Sequence, residues 1–351
     1  MTQDQFKALS ILLSREFTNQ REFAEKLGIS LGKANGLLKT LSANGWIDAV
    51  GCVTKSGLAA LKPYKVDNAI IMAAGLASRF APLSYEKPKG LLVVKGEVLI
   101  ERQIRQLRSV GITDIVVVAG YMKDLFYYLE DKFKGLHVVD NDDYYRYNNT
   151  STLVRVLDKL KNTYICSSDN YFTYNVFEPY VYSAYYAAAY FPGPVNEWGI
   201  KVNKKDIITG IEHYPVDMWC MMGHAYFDGS FSSTFKKILQ EEYKSPNVRK
   251  ELWEAVFERH VNELSMSIRR YGDGTIYEFD SLDDLRQFDA SFFNNTGSEV
   301  IKRICKKLQC AEMDITDISV TNSDAAELSF AFTCKNKRYV YHKANDNLER
   351  T

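Results

Sequence analysis

The sequence predicts an α/β protein. A mixed, mostly parallel sheet covered by helices spans residues 67–289. A small helical domain precedes it (1–66) and a small α+β segment follows it (290–351). Three observations predict this. The run 68–72, a Gly-containing loop, a helix carrying Ile100, Ile104 and Leu107, and the run 115–119 alternate strand, helix, strand. Apolar, β-rich runs in that order predict parallel strands between helical layers. Before residue 66 apolar residues recur at helical spacing instead. After residue 290 comes one helical stretch, 300–308, and then strand-like runs.

The first segment reads as helices. Phe6, Leu9, Leu12 and Leu13 lie on one helical face. Asn19 caps a second helix that stops at Gly28, and Ser30 caps a third that stops near Asn44-Gly45. With the short turn Gly28-Ile29-Ser30, this string resembles a winged helix-turn-helix, and residues 45–61 resemble its wing and closing helix. Nine Lys/Arg against five Asp/Glu in residues 1–66 give 9 − 5 = +4. That charge suits DNA as a partner of this segment but does not demand it. Its third helix offers only Lys33, Asn35 and Lys39, however, with no Arg to read guanine as a fork. A structural cap is the alternative reading.

Composition narrows the class. The chain has 351 residues, with 44 Lys+Arg balancing 44 Asp+Glu. A net charge of zero argues against a whole-protein polyanion binder. The six cysteines (52, 166, 220, 305, 310 and 334) form no C-x-x-C pair, and none lies near a His at metal-ligand spacing. Scattered thiols of this kind read as reduced. No apolar run reaches the ~18 residues of a membrane span. The N-terminus lacks the basic-then-apolar order of a signal peptide. A cytoplasmic protein is expected.

The chemistry concentrates in one loop. The first strand runs into Ala73-Ala74-Gly75-Leu76-Ala77-Ser78-Arg79-Phe80-Ala81-Pro82, followed by Glu86-Lys87-Pro88-Lys89-Gly90-Leu91. Small residues let backbone N–H groups approach phosphates closely at the edge of an α/β sheet. Ala73, Ala74, Gly75, Ala77 and Ser78 are the expected nucleotide cradle. Arg79 adds a fork for phosphate oxygens. Lys89 adds a point charge from a Pro-stiffened loop.

These residues resemble the signature of the sugar-nucleotidyltransferase-like superfamily, G-x-G-x-R-x-x-P followed by K-P-K. The resemblance implies a Rossmann-like nucleotidyltransferase domain. One departure is Ala77 where the pattern has its second Gly. Further strings, N-D-D-Y-Y-R-Y-N-N-T-S-T-L, Y-I-C-S-S-D-N-Y-F, N-E-W-G-I and G-T-I-Y-E-F-D-S-L-D-D, resemble the bacterial choline-phosphate cytidylyltransferases over about residues 67–289. That family implies CTP and phosphocholine as substrates, Mg²⁺ as cofactor and pyrophosphate as a product. Its D-x-D-N motif reads Ser167-Ser168-Asp169-Asn170 here, so the first acid is missing and Asp169 matches the retained, metal-binding position.

Elementary chemistry agrees with the resemblance. Joining a phosphomonoester to a nucleotide brings two polyanions together. It needs a divalent cation and basic side chains, and no protein nucleophile. Asp169, after the strand-like run 163–166, and Asp280, after the run 275–279, are the expected metal ligands, with Glu278 in reserve. A quaternary ammonium has no N–H to donate, so aromatic faces and carboxylates must recognise it. Trp198 with Glu197 is the leading candidate. Tyr171, Trp253 and Glu254, with Tyr144, Tyr145 and Tyr147, complete the expected acceptor pocket. The five histidines show no metal or triad spacing. Two other activities fit the same fold: a sugar-1-phosphate nucleotidyltransferase, and a transcriptional regulator whose nucleotidyltransferase-like domain only senses a ligand.

The run E-L-S-F-A-F-T-C-K-N-K-R-Y-V-Y-H resembles the first strands of choline-kinase-like enzymes. Either it begins a truncated kinase lobe or it is a small β-appendage. Residues 290–351 hold no Gly-rich phosphate loop, no H-x-D and no D-F-G-like run. Choline phosphorylation by ATP is therefore not expected of this chain. Residues 329–332 and 338–341 should pair as a hairpin across 335–337. A lone hairpin is marginal in water, so the helix 300–308 is expected to cover it.

Overall fold

A computed structural model describes residues 1–15, 17–322 and 328–351. Helices α1 (Gln3–Ser14), α2 (Gln20–Leu27) and α3 (Leu31–Ala43) pack around Phe6, Leu9, Phe23, Ala34 and Leu41. Asn19 caps α2 by accepting from Arg21 and Glu22, and Gly28 ends it in the left-handed conformation at φ +66°. Ser30 caps α3. A single antiparallel bridge, Ile47 to Val53, precedes α4 (Lys55–Leu61). This unit is fixed to the rest of the chain by aromatic rings. Phe6 lies 5.1 Å from Tyr64 and 5.4 Å from Tyr182, and Tyr64 stacks on Tyr182 at 5.3 Å.

The central sheet has nine strands. β1 (Asn68–Ala73) lies at its middle, parallel to β2 (Ile115–Ala119) on one side. β3 (Leu136–Asp140) extends that side in parallel. On the other side β1 is parallel to β4 (Thr163–Ser167), with Asn68 opposite Thr163. The remaining strands are β5 (Tyr185–Pro194), β6 (Gly199–Val202), β7 (Ile208–Glu212), β8 (Val216–Phe227) and β9 (Ser267–Arg270). Of these, β8 runs antiparallel to β4, with His224 opposite Cys166. The order along the sheet is β7-β6-β8-β4-β1-β2-β3, with β5 pairing β8 and β9. All five residues of β2 are buried, which is why its sequence is an unbroken apolar run. Two cores flank the sheet, one holding Ile71, Ile104 and Val117, the other Ile70, Val116 and Phe257.

The alternation of strand and helix thus lies where the sequence placed it, in a mixed, mostly parallel sheet. The expected strand over 275–279 is shorter, because only Ile276–Tyr277 finds a partner, the two residues Tyr171–Phe172. No helix among the described residues is long and apolar enough to cross a membrane.

The C-terminal residues form a four-stranded antiparallel sheet: β10 (Ile315–Asn322), β11 (Ser329–Cys334), β12 (Lys337–His342) and β13 (Asn347–Arg350). β11 and β12 pair as a hairpin, with Phe332 opposite Tyr339 and Cys334 opposite Lys337. Its turn is the pair Lys335-Asn336, not three residues. Both have positive φ, +48° and +62°, as a two-residue turn matching strand twist demands. The helix Glu299–Leu308 covers it through Val300, Ile301 and Ile304. The same core also takes in Phe80, Leu83, Tyr85 and Leu92, so one hydrophobic cluster crosses residue 290.

Candidate active site

β1 delivers the loop expected to cradle phosphates to the carboxyl edge of the sheet. Ala77 sits there at φ +49°, ψ +47°. A side chain in this left-handed well costs roughly 1 kcal/mol, which a Gly would not incur. Ala77 is the position where the superfamily pattern carries Gly, and the loop keeps its left-handed turn despite the methyl. A 3₁₀ turn, Ser78–Phe80, then presents Arg79 with its side chain 68% exposed.

Lys89 follows on a second 3₁₀ turn and is nearly enclosed, with 8% of its side chain accessible. Its Nζ lies 2.9 Å from Asp169 Oδ2 and 3.8 Å from Asp280 Oδ1. Arg79 Nη2 reaches the same Asp280 oxygen at 3.2 Å. Gly90 explains how the loop comes so close. A Cβ there would stand 2.8 Å from the Ser168 Cβ, so only glycine lets Lys89 lie against the strand end that carries Asp169. Asp280 is free for this contact because the helix after it, Leu282–Phe288, is capped by Ser281.

Charges in the site bias one another. Burial alone would lower the Lys89 pKa, but Asp169, Glu278 and Asp280 outweigh it and hold the ammonium's pKa above its ordinary value. Burial and the Asp169 charge push Glu278 up to about 8, with Lys89 opposing. Burial and the Asp280 charge also raise Glu197, against Arg79 and Lys89. Four carboxylates and two cations therefore share one electrostatic neighbourhood.

A cavity of about 850 Å³ opens over these groups. Ala73, Ala74, Gly75, Ala77, Ser78, Arg79 and Lys89 line one wall, and Asp169, Glu278 and Asp280 line the back. The far wall is Asn141, Tyr144, Tyr145, Arg146, Tyr147, Asn148, Asn149, Thr152 and Lys250. Of that wall, only the tyrosines were singled out from the sequence. Asn141, Arg146, Asn148 and Asn149 had one signal available: they follow the carboxyl end of β3, the neighbour of β2, where α/β sheets bind ligands; Lys250 comes from the turn Val248–Lys250 and had none.

Several expected acceptor residues lie elsewhere. Trp253 is 1% exposed, stacked on Tyr186 at 5.6 Å and edge-on to Phe227 at 5.0 Å; it is core, not cage. Tyr171 is buried against Phe288 at 5.0 Å, with the Arg102 guanidinium 4.6 Å over its ring. Glu254 is buried, accepting from Tyr186 Oη at 2.8 Å and from Asn149 Nδ2 at 3.3 Å, and reaches the cavity only through Asn149. Trp198 is half-buried, edge-to-face with His213 at 4.9 Å, and packs on the core rather than lining the cavity. The reason is common to all four: each side chain satisfies its apolar surface or its hydrogen bonds inside the fold. Glu197, beside Trp198, does couple to the charged cluster.

Among the described residues no group of three or more His, Cys, Asp or Glu side chains is placed to hold a metal. Asp169 and Asp280 are nonetheless near enough for one Lys89 ammonium to touch both. Two hard oxygen donors converging on one point fit Mg²⁺, which takes one or two carboxylates and completes its shell with water and substrate phosphates.

A small-residue loop off β1, a buried lysine between two carboxylates and a parallel-sheet edge define a nucleotidyltransferase with a Rossmann-like fold. Comparison with known proteins agrees. Residues 69–176 match the MobA-like NTP transferase domain. The chain is 32% identical over 228 residues to the 2-aminoethylphosphonate cytidylyltransferase of Lancefieldella rimae, covering 64% of this chain and 93% of that protein. It is 32% identical over 225 residues to the choline-phosphate cytidylyltransferase of Streptococcus pneumoniae, covering 63% of this chain and 96% of that one. The solved structure of CTP:phosphocholine cytidylyltransferase from Streptococcus pneumoniae superposes with a TM-score of 0.61 at 31% identity, over 64% of this chain and 98% of that chain. The chain belongs to the bacterial cytidylyltransferases of the choline-phosphate cytidylyltransferase type.

Proposed function

We propose that this nucleotidyltransferase moves the cytidylyl group of CTP onto phosphocholine, giving CDP-choline and pyrophosphate. The observation that carries the reading is the contact of Lys89 with both Asp169 and Asp280, beside a loop shaped for phosphates. A phosphate oxygen of the acceptor attacks the α-phosphorus. The bond from that phosphorus to the bridging oxygen breaks, and pyrophosphate leaves with the electron pair. No proton need be removed, because the acceptor is already an anion. Arg79 and Lys89 meet the charge that develops on the leaving group. Asp169 and Asp280 would hold Mg²⁺, which would supply Lewis-acid stabilisation of phosphate charge. Glu197 offers negative charge for the ammonium end, and Tyr144, Tyr145 and Tyr147 offer aromatic faces.

A second acceptor, 2-aminoethylphosphonate, is favoured by a specific observation. Trp253 and Tyr171 are packed away from the cavity, while Asp169, Glu278 and Asp280 line it beside Lys89. A primary ammonium has N–H groups for carboxylates; a quaternary one has none. The test is pyrophosphate release with Mg²⁺, each NTP, and phosphocholine, phosphoethanolamine, 2-aminoethylphosphonate or glucose-1-phosphate. The reading requires CTP with an ammonium-bearing acceptor to be fastest; glucose-1-phosphate ahead of them would overturn it. Residues 1–66 are proposed as a DNA-binding unit, with affinity falling steeply with salt as counterions are released. The working compartment we infer is the cytoplasm.

A further inference from the structure

The irregular stretch that carries Arg79 and Lys89 has no strand partner of its own. It is three short 3₁₀ turns, Ser78–Phe80, Leu83–Tyr85 and Lys89–Leu91. Its backbone hydrogen bonds close single turns, such as Phe80 N–H to Ala77 and Leu92 N–H to Lys89, so how the turns sit relative to one another depends on what packs against them. Here that is the C-terminal sheet. Tyr85 is 1% exposed; its hydroxyl donates to the Ser329 carbonyl at 3.3 Å and its ring meets Phe330 edge-on at 6.0 Å. Lys343 Nζ donates to the Tyr85 carbonyl at 2.9 Å and lies 5.4 Å from the ring centroid. One residue on, Glu86 Oε1 accepts from the Val300 N–H at 2.9 Å. Three separate pieces of the tail thus grip two adjacent residues midway between Arg79 and Lys89. The two cytidylyltransferase relatives are matched over 93% and 96% of their own lengths by under two thirds of this chain, so this chain carries structure beyond what they need.

We propose that the helix Glu299–Leu308, the strand β11 and Lys343 brace the phosphate loop, and that Lys343 is a positioning residue that sets Lys89 and Arg79 for the nucleotide's phosphates. The inference rests on the reading that this loop holds CTP. An error of about 1 Å in such placement can cost on the order of 100-fold in rate, so a partial loosening should be measurable.

The test uses the full 351-residue chain. Lys343→Ala should lower kcat/KM for CTP by about tenfold, leave the acceptor KM at saturating CTP within about twofold, and hardly move the thermal midpoint. Lys343→Arg, which keeps a donor for the Tyr85 carbonyl, should recover most of the loss. Lys337→Ala, on the exposed face of the same sheet, should change nothing. Should Lys343→Ala fail to fold, amide exchange on the wild type decides. Coupling is reciprocal, so CTP must protect amides of 329–342 as well as those of 73–92. The brace is overturned by a folded Lys343→Ala with unchanged CTP kinetics, by equal damage to both substrates, or by CTP protecting 73–92 while 329–342 stays unchanged. No protection of 73–92 at all would remove the CTP reading, and this inference with it.

Discussion

The Lys89 ammonium lies 2.9 Å from the Asp169 carboxylate, although eighty positions separate them in sequence. The contact joins two strand ends. Lys89 arrives on the loop after β1, and Asp169 follows β4, the parallel neighbour of β1. Parallel pairing is what brings both to one edge of the sheet, and Asp280 joins them from the segment before the helix Leu282–Phe288.

If Asp169 is a metal ligand, Asp169→Asn should lower kcat by about 100-fold or more while the fold persists. Turnover and far-ultraviolet circular dichroism of the purified variant check this. Wild-type turnover would remove Asp169 from the metal site.

The two lysines around Pro88 should behave differently. Lys89 is enclosed beside Asp169, whereas Lys87 is exposed. Lys89→Ala should depress kcat/KM for CTP far more than Lys87→Ala does. Equal losses would mean that the loop presents the other lysine to the nucleotide.

Glu197 is the remaining expected acceptor residue whose charge couples to the cluster. Glu197→Gln should raise the KM for an ammonium-bearing acceptor by roughly five- to thirtyfold, the usual worth of about 1–2 kcal/mol for a charged contact, with the KM for CTP unchanged. A change confined to CTP would place Glu197 at the nucleotide end.

His224 should leave a signature in stability against pH. It is fully buried among aromatic rings, stacked on Tyr164 at 5.5 Å. Burial, aided by the charge of Arg269, pushes its pKa down to about 3 from an ordinary 6.5. Between those values the unfolded chain binds a proton that the folded chain refuses. Stability is therefore lost as pH falls below 6.5, at about 1.4 kcal/mol per pH unit, until about pH 3. His224→Phe should flatten that slope between about pH 6 and about pH 4.5, whatever it does to stability overall. Denaturant unfolding at several pH values measures it; an unchanged slope would mean another group titrates.

Much of this was legible in the sequence, for identifiable reasons. The strands Asn68–Ala73 and Ile115–Ala119 are apolar because both sheet faces are covered, and a period of that kind survives without knowledge of the fold. Lys89 and Asp169 were legible because each sits in a short motif whose chemistry constrains residue type. Trp253 and Tyr171 were not. An aromatic side chain looks the same in a cage and in a core, and only the packing of Tyr186, Phe227 and Phe288 around them decides. The tail's hairpin and covering helix were legible from local apolar runs, although its turn is two residues rather than three and its sheet has a fourth strand. Its grip on Tyr85 was invisible, since contacts such as Tyr85 to Ser329 span 244 residues and leave no pattern at either end.

The central claim is cytidylyl transfer to an ammonium-bearing phosphate or phosphonate. Its most direct test is phosphorus NMR of the purified chain with CTP, Mg²⁺ and phosphocholine or 2-aminoethylphosphonate. The account predicts that the triphosphate signals of CTP give way to pyrophosphate and a new pair of mutually coupled resonances, from the α-phosphorus now joined to the acceptor's phosphorus. Unconsumed CTP with both acceptors, or a coupled product formed only with a sugar phosphate, would contradict it.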